Sequence, residues 1–113
     1  MIRPSGPGFV QDDYSLEEAL ASVGPGWAGI VHALVDFLKG HGVKIHQVKE
    51  KFGRLTVYVD YYDDVVETAR LSAEAASMVT CEDCGLPGRV QGGVWLLTLC
   101  DDCAARQGMG GKR

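Results

Sequence analysis

The chain has 113 residues, of which 46% are hydrophobic and 23% charged, and its formal net charge is −4. This size fits one ordinary domain, and the composition is unlike that of disordered or fibrous chains. No stretch approaches the roughly 20 apolar residues that cross a bilayer, and MIRPSGPGFV at the start lacks the apolar run of a signal peptide. We therefore expect a cytoplasmic protein without membrane contact, whose thiols stay reduced. The acidic balance argues against broad nonspecific binding to nucleic acid, but it leaves room for a local basic patch.

The N-terminal part of the sequence predicts a flexible arm and two helices. Residues 1–13 are rich in glycine and proline and have no periodicity, which is typical of an arm. Ser15 and Glu18 have the spacing of a capping box, and this predicts a short helix over 15–22 that the GPG sequence at 24–26 ends. A second helix follows up to Gly40, and helical spacing places these residues on one buried stripe: Trp27, Ile30, Val31, Leu34 and Leu38.

The middle of the sequence predicts a β-hairpin and a third helix. Leu55, Val57 and Val59 alternate with polar residues, which is the period of a half-buried strand. The preceding strand changes parity, so we expect a bulge near 46–47, and Gly53 marks the turn. Asp63 or Asp64 then caps the third helix, whose small side chains are expected to pack on the hairpin: Val65, Ala69, Ser72 or Ala73, Ala76 and Val79.

All the cysteines lie between residues 81 and 103, in CEDCGLPGRVQGGVWLLTLCDDC. Cys81 and Cys84 form one CxxC pair, Cys100 and Cys103 form another, and fifteen residues separate the pairs. This spacing is typical of zinc sites. Because four thiolates close a tetrahedral shell and leave no position for water, the pattern predicts structural rather than catalytic Zn²⁺.

The sequence around the cysteines supports the metal site. Gly85 suits a knuckle turn, Arg89 and Val90 begin a strand, a reversal at 91–93 leads into VWLLTL, and Asp101 and Asp102 suit a helix start. A knuckle, a hairpin and a helix that carries the second ligand pair resemble a treble-clef zinc finger. The cysteine module contains few large apolar residues, so we expect it to fold only when its metal is bound. Disulfides are disfavoured in a reducing compartment. A thioredoxin-like redox centre is also disfavoured, because it would need only one CxxC pair near a βαβ unit, and this sequence lacks such a unit.

Cations and aromatic residues gather around the predicted hairpin. Such residues can hold a phosphate and stack a base, so a nucleotide or nucleic acid is one expected ligand class. The candidate binding residues are Lys49, Lys51, Arg54, Tyr58 and His46. The alternative interpretation is a charged, exposed turn in which Glu50 compensates the lysines.

No set of residues in the sequence indicates an enzyme. His32, His41 and His46 share no metal-ligand spacing, and the carboxylates at 60–67 are explained by the start of a helix. The sequence lacks a phosphate-binding glycine loop, a nucleophile elbow and an HExxH motif. Trp27 and Trp95 are expected in the core rather than as exposed anchors.

An ordered series of motifs resembles a family of short, largely uncharacterised phage and prophage proteins. The series is GPGW at 24–27, QVKEKFG at 47–53 with Leu55 and Tyr58, CEDCG at 81–85, and a tryptophan followed by TLCDDC up to 103. The resemblance spans roughly residues 24–105 and implies a protein that binds a host component, with inhibition of host defence as one role. The family pattern has KFGGLRFY where this chain has KFGRLTVY, so Thr56 replaces an arginine, which weakens an anion-binding role for the hairpin.

The sequence therefore predicts an α+β fold in which helices and a β-hairpin carry a C-terminal treble-clef-like zinc module. The expected segments are an arm at 1–13, a core at 14–79, the four-cysteine zinc module at 80–107 and a tail at 108–113. The leading functional hypothesis is a non-enzymatic, zinc-stabilised adaptor or inhibitor of a host protein. The alternative hypothesis is a protein that binds or sequesters a nucleotide or nucleic acid through the hairpin.

Overall fold

The computed structural model describes residues 13–92 and 96–107. Within these ranges the chain has the predicted α+β class, with helices and two antiparallel hairpins. Outside the described residues lie Trp95, the last residue of the predicted 91–93 reversal, the predicted tail and all of the predicted arm except Asp13. No helix in the described ranges is both long and apolar enough to cross a membrane. The elements are α1 (Leu16–Ala21), a 3-10 turn (Pro25–Trp27), α2 (Ala28–Gly40), β1 (Ile45–Lys51), β2 (Arg54–Val59), α3 (Asp64–Ser77), β3 (Arg89–Gln91), β4 (Leu97–Leu99) and α4 (Asp101–Arg106).

The predicted helix start signals are confirmed. At α1 the Glu18 backbone N–H donates to the Ser15 hydroxyl over 3.0 Å, and the Ser15 N–H donates to the Glu18 carboxylate over 2.9 Å. At α3 the Asp63 carboxylate accepts from the backbone N–H of Val66 over 2.8 Å. These side chains bind N–H groups that have no partner inside the helix, and this defines where each helix begins.

The main core lies between the first hairpin and the helices. Strands β1 and β2 pair with the predicted bulge between Ile45 and Gln47, and a two-residue turn at 52–53 joins them. Trp27, expected in the core, is fully buried. The other large buried side chains of this cluster are Val31, Leu34, Val35, Leu38, Val43, Ile45, Val48, Leu55, Val57, Val59 and Val66.

The predicted packing face of α3 is confirmed at Ala73, which is buried, and at Ala69, which packs against the core, but it is wrong at both of its ends. Val65 is 49% exposed and Val79 is 61% exposed, whereas α3 buries Val66, Ala73 and Ser77. Ser77 belongs to the core face because its hydroxyl accepts the backbone N–H of Leu55 over 2.9 Å and donates to the carbonyl of Glu74. An apolar pattern does not predict the burial of a polar residue that accepts a strand N–H, so the sequence missed Ser77, and part of the predicted apolar face of α3 stays exposed.

Asp13, which the sequence assigned to the arm, is tied to the fold. Its carboxylate accepts from the Lys39 ammonium over 2.9 Å and from the Ile45 backbone N–H over 3.0 Å. Partial burial raises the pKa of Asp13, but the bonds from Lys39 and Ile45 outweigh it, and the pKa lies below the ordinary value of 3.8.

We expect Asp13 to stabilise the protein in a pH-dependent way. A carboxyl group whose pKa is lower in the folded chain stabilises it above the unfolded pKa, and this contribution is lost as the pH falls through the folded pKa. The free energy of unfolding of Asp13→Asn should therefore be below that of the parent chain at pH 6, and the two values should converge below pH 3.8. Urea denaturation across this range measures the difference, and a difference that does not change with pH would contradict the assignment.

Candidate metal centre and binding surfaces

The four cysteines converge on one point. Their Sγ atoms all lie within 4.8 Å of one another, and all four thiols are free. The Sγ atoms of Cys84 and Cys100 are 3.7 Å apart, far beyond the disulfide length of about 2.05 Å. A tetrahedral ion with metal–sulfur bonds of about 2.3 Å requires sulfurs about 3.8 Å apart. The donor set and this spacing therefore fit one metal ion bound by four thiolates.

Each ligand pair is positioned by its own local structure. In the knuckle the Gly85 N–H donates to the Cys81 carbonyl over 3.0 Å, while the Cys81 N–H donates to the carbonyl of Leu86. In the second pair, Cys100 is the N-cap of α4, and its Sγ accepts from the Cys103 backbone N–H. A knuckle, a short hairpin (β3 and β4) and a helix start are the parts of the predicted treble clef.

The surroundings favour a thiolate at Cys81, whereas burial and the neighbouring thiols raise the pKa of Cys103. Burial raises the pKa of Cys81, but backbone N–H groups of Cys84, Cys100 and Asp83 lower it to about 6. The Arg106 guanidinium lies 3.0 Å from the sulfur of Cys103, where it can donate to a thiolate. Such donors stabilise the deprotonated sulfur that a metal ion needs.

The module around this site has little core of its own. Its buried apolar cluster contains Cys81, Leu99, Cys103 and Ala104, with Leu97 and Cys100 partly buried beside it. Two of the four fully enclosed members are metal-ligand candidates, and Leu99 is the single large aliphatic side chain among them. Burial of so few apolar groups contributes little free energy, which is why a bound ion matters for this part of the fold.

The module is attached to the main core through the GPGW sequence. The Gly26 backbone N–H donates to the Glu82 carbonyl over 2.7 Å, and the Trp27 indole N–H donates to the Thr80 carbonyl over 2.8 Å. At Gly26 a Cβ atom would lie 2.0 Å from the Cys81 carbonyl oxygen, so only glycine allows this approach. The loop before α2 therefore packs directly on the knuckle that carries the first two thiols.

A second attachment joins the knuckle to the first hairpin through buried polar groups. Thr98 of β4 exchanges two bonds with Glu82: its N–H donates to the carboxylate and its carbonyl accepts the Glu82 N–H, both over 2.8 Å. The Thr98 hydroxyl donates to the Gly53 carbonyl at the hairpin turn, and the Gly53 N–H donates to Glu50. Burial raises the pKa of Glu82 to about 7, although the Thr98 N–H opposes the shift. We call these two attachments together the joint, formed by Gly26, Trp27, Glu50, Gly53, Thr80, Glu82 and Thr98.

The joint gives a structural role to residues of the four motifs in the sequence. GPGW contributes Gly26 and Trp27, QVKEKFG contributes Glu50 and Gly53, CEDCG contributes Glu82, and the last motif contributes Thr98. Sequence reasoning found these motifs but did not identify Glu50 or Glu82 as a hydrogen-bond acceptor. A glutamate inside a CxxC pair and another at the end of a strand before a turn are the signals that could have indicated these roles.

The candidate binding residues of the hairpin lie together. The inner face of β2 carries Leu55, Val57 and Val59, so the outer face carries Arg54, Thr56 and Tyr58. Across the register these pair with Lys51, Lys49 and Gln47. His46 lies at the bulge, and Arg54 also forms an ion pair with Glu74 over 3.1 Å. Glu50 does not neutralise the charge of the lysines. Its side chain lies on the opposite parity of the strand, where it accepts the Gly53 N–H.

An exposed apolar groove runs between α2 and α3. We call it the α2–α3 face; it is lined by Ile30, Ala33, Leu34, Phe37, Ala69, Ser72, Ala73 and Ala76, with a volume near 310 Å³. It continues into a cavity of 420 Å³ beside Phe37, Asp64, Val65, Thr68 and Ala69. The rim residue Phe37 is 43% exposed. This is the stripe of α3 that the sequence had predicted to face the hairpin.

Comparisons with known proteins find no match to the chain among protein-family models, curated proteins or solved structures.

Proposed function

We propose that the chain is a non-enzymatic binding protein that is stabilised by one structural Zn²⁺ ion and acts as an adaptor or inhibitor of a partner protein. The observation that carries this proposal is the α2–α3 face, an apolar groove between two helices that is open to the surface. Exposed apolar patches on folded domains mark interaction sites, and a groove between two helices suits a third helix.

The metal in this proposal is zinc because of the donor set. Four thiolates in a tetrahedral arrangement select zinc or iron–sulfur chemistry, and the single-ion spacing of the sulfurs favours zinc. With four protein ligands the shell is closed, so the ion supplies folding energy rather than a reactive water. A cytoplasmic location fits four free thiols, since reducing conditions keep them available for metal.

The partner surface that best fits the α2–α3 face is an amphipathic helix with basic residues at one end. Alanine and serine side chains form much of the groove, so a third helix can approach closely. At one end the groove is lined by Asp64. This acidic side chain complements lysine or arginine on the partner. The phage resemblance makes a host protein the proposed partner and interference with host defence the proposed process.

We expect Ser72→Glu to weaken partner binding at least tenfold. Ser72 is exposed and glutamate is a good helix former, so the fold should persist, while a charge in the centre of an apolar interface must be desolvated on binding. Quantitative affinity capture from host lysate identifies the proteins that the parent chain enriches, and titration with the purified partner measures the affinity.

Ala21→Glu is the matched control, because it adds the same charge at an exposed position of α1. A partner lost with Ser72→Glu and kept with Ala21→Glu supports the proposal. Failure of the parent chain to enrich any protein, or equal capture by both variants, would contradict it.

A second candidate function is binding of a nucleotide or nucleic acid by the outer face of the first hairpin. The specific observation in its favour is that Lys49, Lys51, Arg54 and Tyr58 share one face. In a chain with a net charge of −4, such a cluster is a local positive field that can attract phosphates.

A further inference from the structure

The outer face of the first hairpin combines spaced cations with exposed aromatic rings. Lys49 and Lys51 lie two residues apart on β1, about 6.8 Å along the strand. Within the described ranges neither lysine has an ion-pair partner, while Arg54 opposite Lys51 is paired with Glu74. Tyr58 is partly exposed at the far end of the same face. A ligand can therefore bind these two lysines without breaking an ion pair.

Phe52, in the turn of this hairpin, has a backbone conformation that disfavours it. Its φ angle is +56°, and Gly53 beside it has φ of +82°, the pattern of a type I′ turn. Such turns favour asparagine, aspartate or glycine, whereas a bulky residue with positive φ costs about 1–2 kcal/mol. The ring does not recover this cost in the core, because Phe52 is 62% exposed.

Residues other than Phe52 make the contacts that stabilise the turn. At Gly53 an added Cβ would lie within 3.4 Å of Val90, Leu97 and Thr98, so the turn lies close to the second hairpin, and Glu50 binds the turn N–H. The phenyl ring at position 52 thus has no role in the joint or in the main core. A strained, exposed aromatic residue between cations points to a contact with something outside the chain.

We propose that this outer face binds single-stranded nucleic acid, with Phe52 and Tyr58 as stacking platforms and Lys49 and Lys51 as phosphate contacts. The inference rests on the second candidate function and names its ligand class. Arg54, next to the turn, is four residues from Tyr58, or about 13.6 Å along β2, so the aromatic residues contact separate bases. The lysines between them follow a backbone rather than enclose one phosphate, which favours a polymer over a mononucleotide.

The test measures fluorescence anisotropy of labelled dT20 and rU20 with the metal-loaded protein at low salt. The parent chain should bind at least one of the two strands, and the two strands separate DNA from RNA preference. Phe52→Asn should weaken binding about tenfold, because one stacked base is worth about 1–3 kcal/mol. The same variant should melt no lower than the parent, since asparagine suits the turn.

Changing Lys49→Ala together with Lys51→Ala should reduce the slope of log affinity against log salt by about 1.4, because each phosphate contact contributes about 0.7. Val79→Asn and Lys39→Ala are the controls: the first removes an equally exposed apolar side chain and the second a cation on α2. Both should leave binding unchanged.

Four results would overturn the proposal. If neither strand binds, the second candidate function falls with it. If the lysine variant loses affinity but Phe52→Asn keeps it, or if AMP competes as well as the strands do, the hairpin binds phosphates without the proposed stacking and the second candidate function survives. If Phe52→Asn melts below the parent chain, Phe52 is needed for the fold and the strain argument is wrong.

Discussion

Replacing Cys84 by serine is expected to unfold the C-terminal module and to lower the melting temperature of the whole chain by more than about 10 °C. Structural zinc in small modules contributes about 10–16 kcal/mol of apparent binding free energy, and about 1 kcal/mol shifts the melting temperature of a domain of this size by roughly 4–8 °C. The effect should reach the main core, because Trp27 and Gly53 both bond to the module through the joint.

Circular dichroism melts and the amide spectrum of the parent and variant chains measure this effect. Asp83→Ser is the matched control: it changes an exposed side chain between the same two cysteines and keeps the backbone N–H that faces Cys81. Addition of a strong chelator to the parent chain should reproduce the Cys84→Ser result. A Cys84→Ser chain that keeps its metal, its dispersed amide spectrum and its melting temperature would contradict a four-thiolate site.

Gly26→Ala is expected to destabilise the protein by about 3 kcal/mol or more. The added Cβ would lie 2.0 Å from the Cys81 carbonyl oxygen and 2.6 Å from the Gly85 nitrogen, both of which are backbone atoms of the knuckle. The loop must therefore retreat and break the bonds that Gly26 and Trp27 make to Glu82 and Thr80. Loss of these two hydrogen bonds, each with a partner left unsatisfied, accounts for a change of this size.

Gly29→Ala provides the control three residues away. Gly29 lies in α2, and within the described residues a Cβ added there would meet nothing within 4 Å except its chain neighbours and the backbone of its own helix, so alanine should stabilise the helix by about 0.5–1 kcal/mol. Urea denaturation of the two variants should therefore give changes of opposite sign. Gly26→Ala should also release metal more readily than the parent chain, because the displaced residues border the thiols. Equal effects of the two substitutions would show that GPGW does not carry the module.

Local sequence signals predicted most of the elements because their causes are local. The capping box at Ser15, the Asp63 cap and the strand alternation at 55–59 each depend on residues within one turn or one strand. The cysteine spacing predicted the cluster for the same reason, since each CxxC pair is positioned by its own turn.

The features that sequence reasoning missed depend on contacts between distant segments. The bond from Leu55 to Ser77 decides which face of α3 is buried, and it joins residues 22 positions apart. The joint depends on Thr98 reaching both Glu82 and Gly53, which no periodicity encodes. The sequence suggests Glu50 as a compensating surface charge, and only its bond to the turn N–H reveals its role. The apolar α2–α3 face became visible only once the correct face of α3 was known.

Because of the joint, the two proposed binding surfaces should depend on the bound metal to different extents. Gly53 of the first hairpin bonds to the module, so the turn that carries Phe52 should be ordered less well when the ion is removed. The α2–α3 face is built from side chains of two helices packed on the main core, and it depends on the module mainly through Trp27. Nucleic acid binding should therefore be the more metal-sensitive of the two activities.

Native mass spectrometry of the protein, purified gently without added metal, tests the central claim most directly. We predict the mass of one chain plus one zinc ion, with the four cysteines reduced in the same species. A metal-free chain that keeps its native charge-state distribution, or a mass lowered by the hydrogens lost in forming disulfides, would contradict a fold completed by a single thiolate-bound ion.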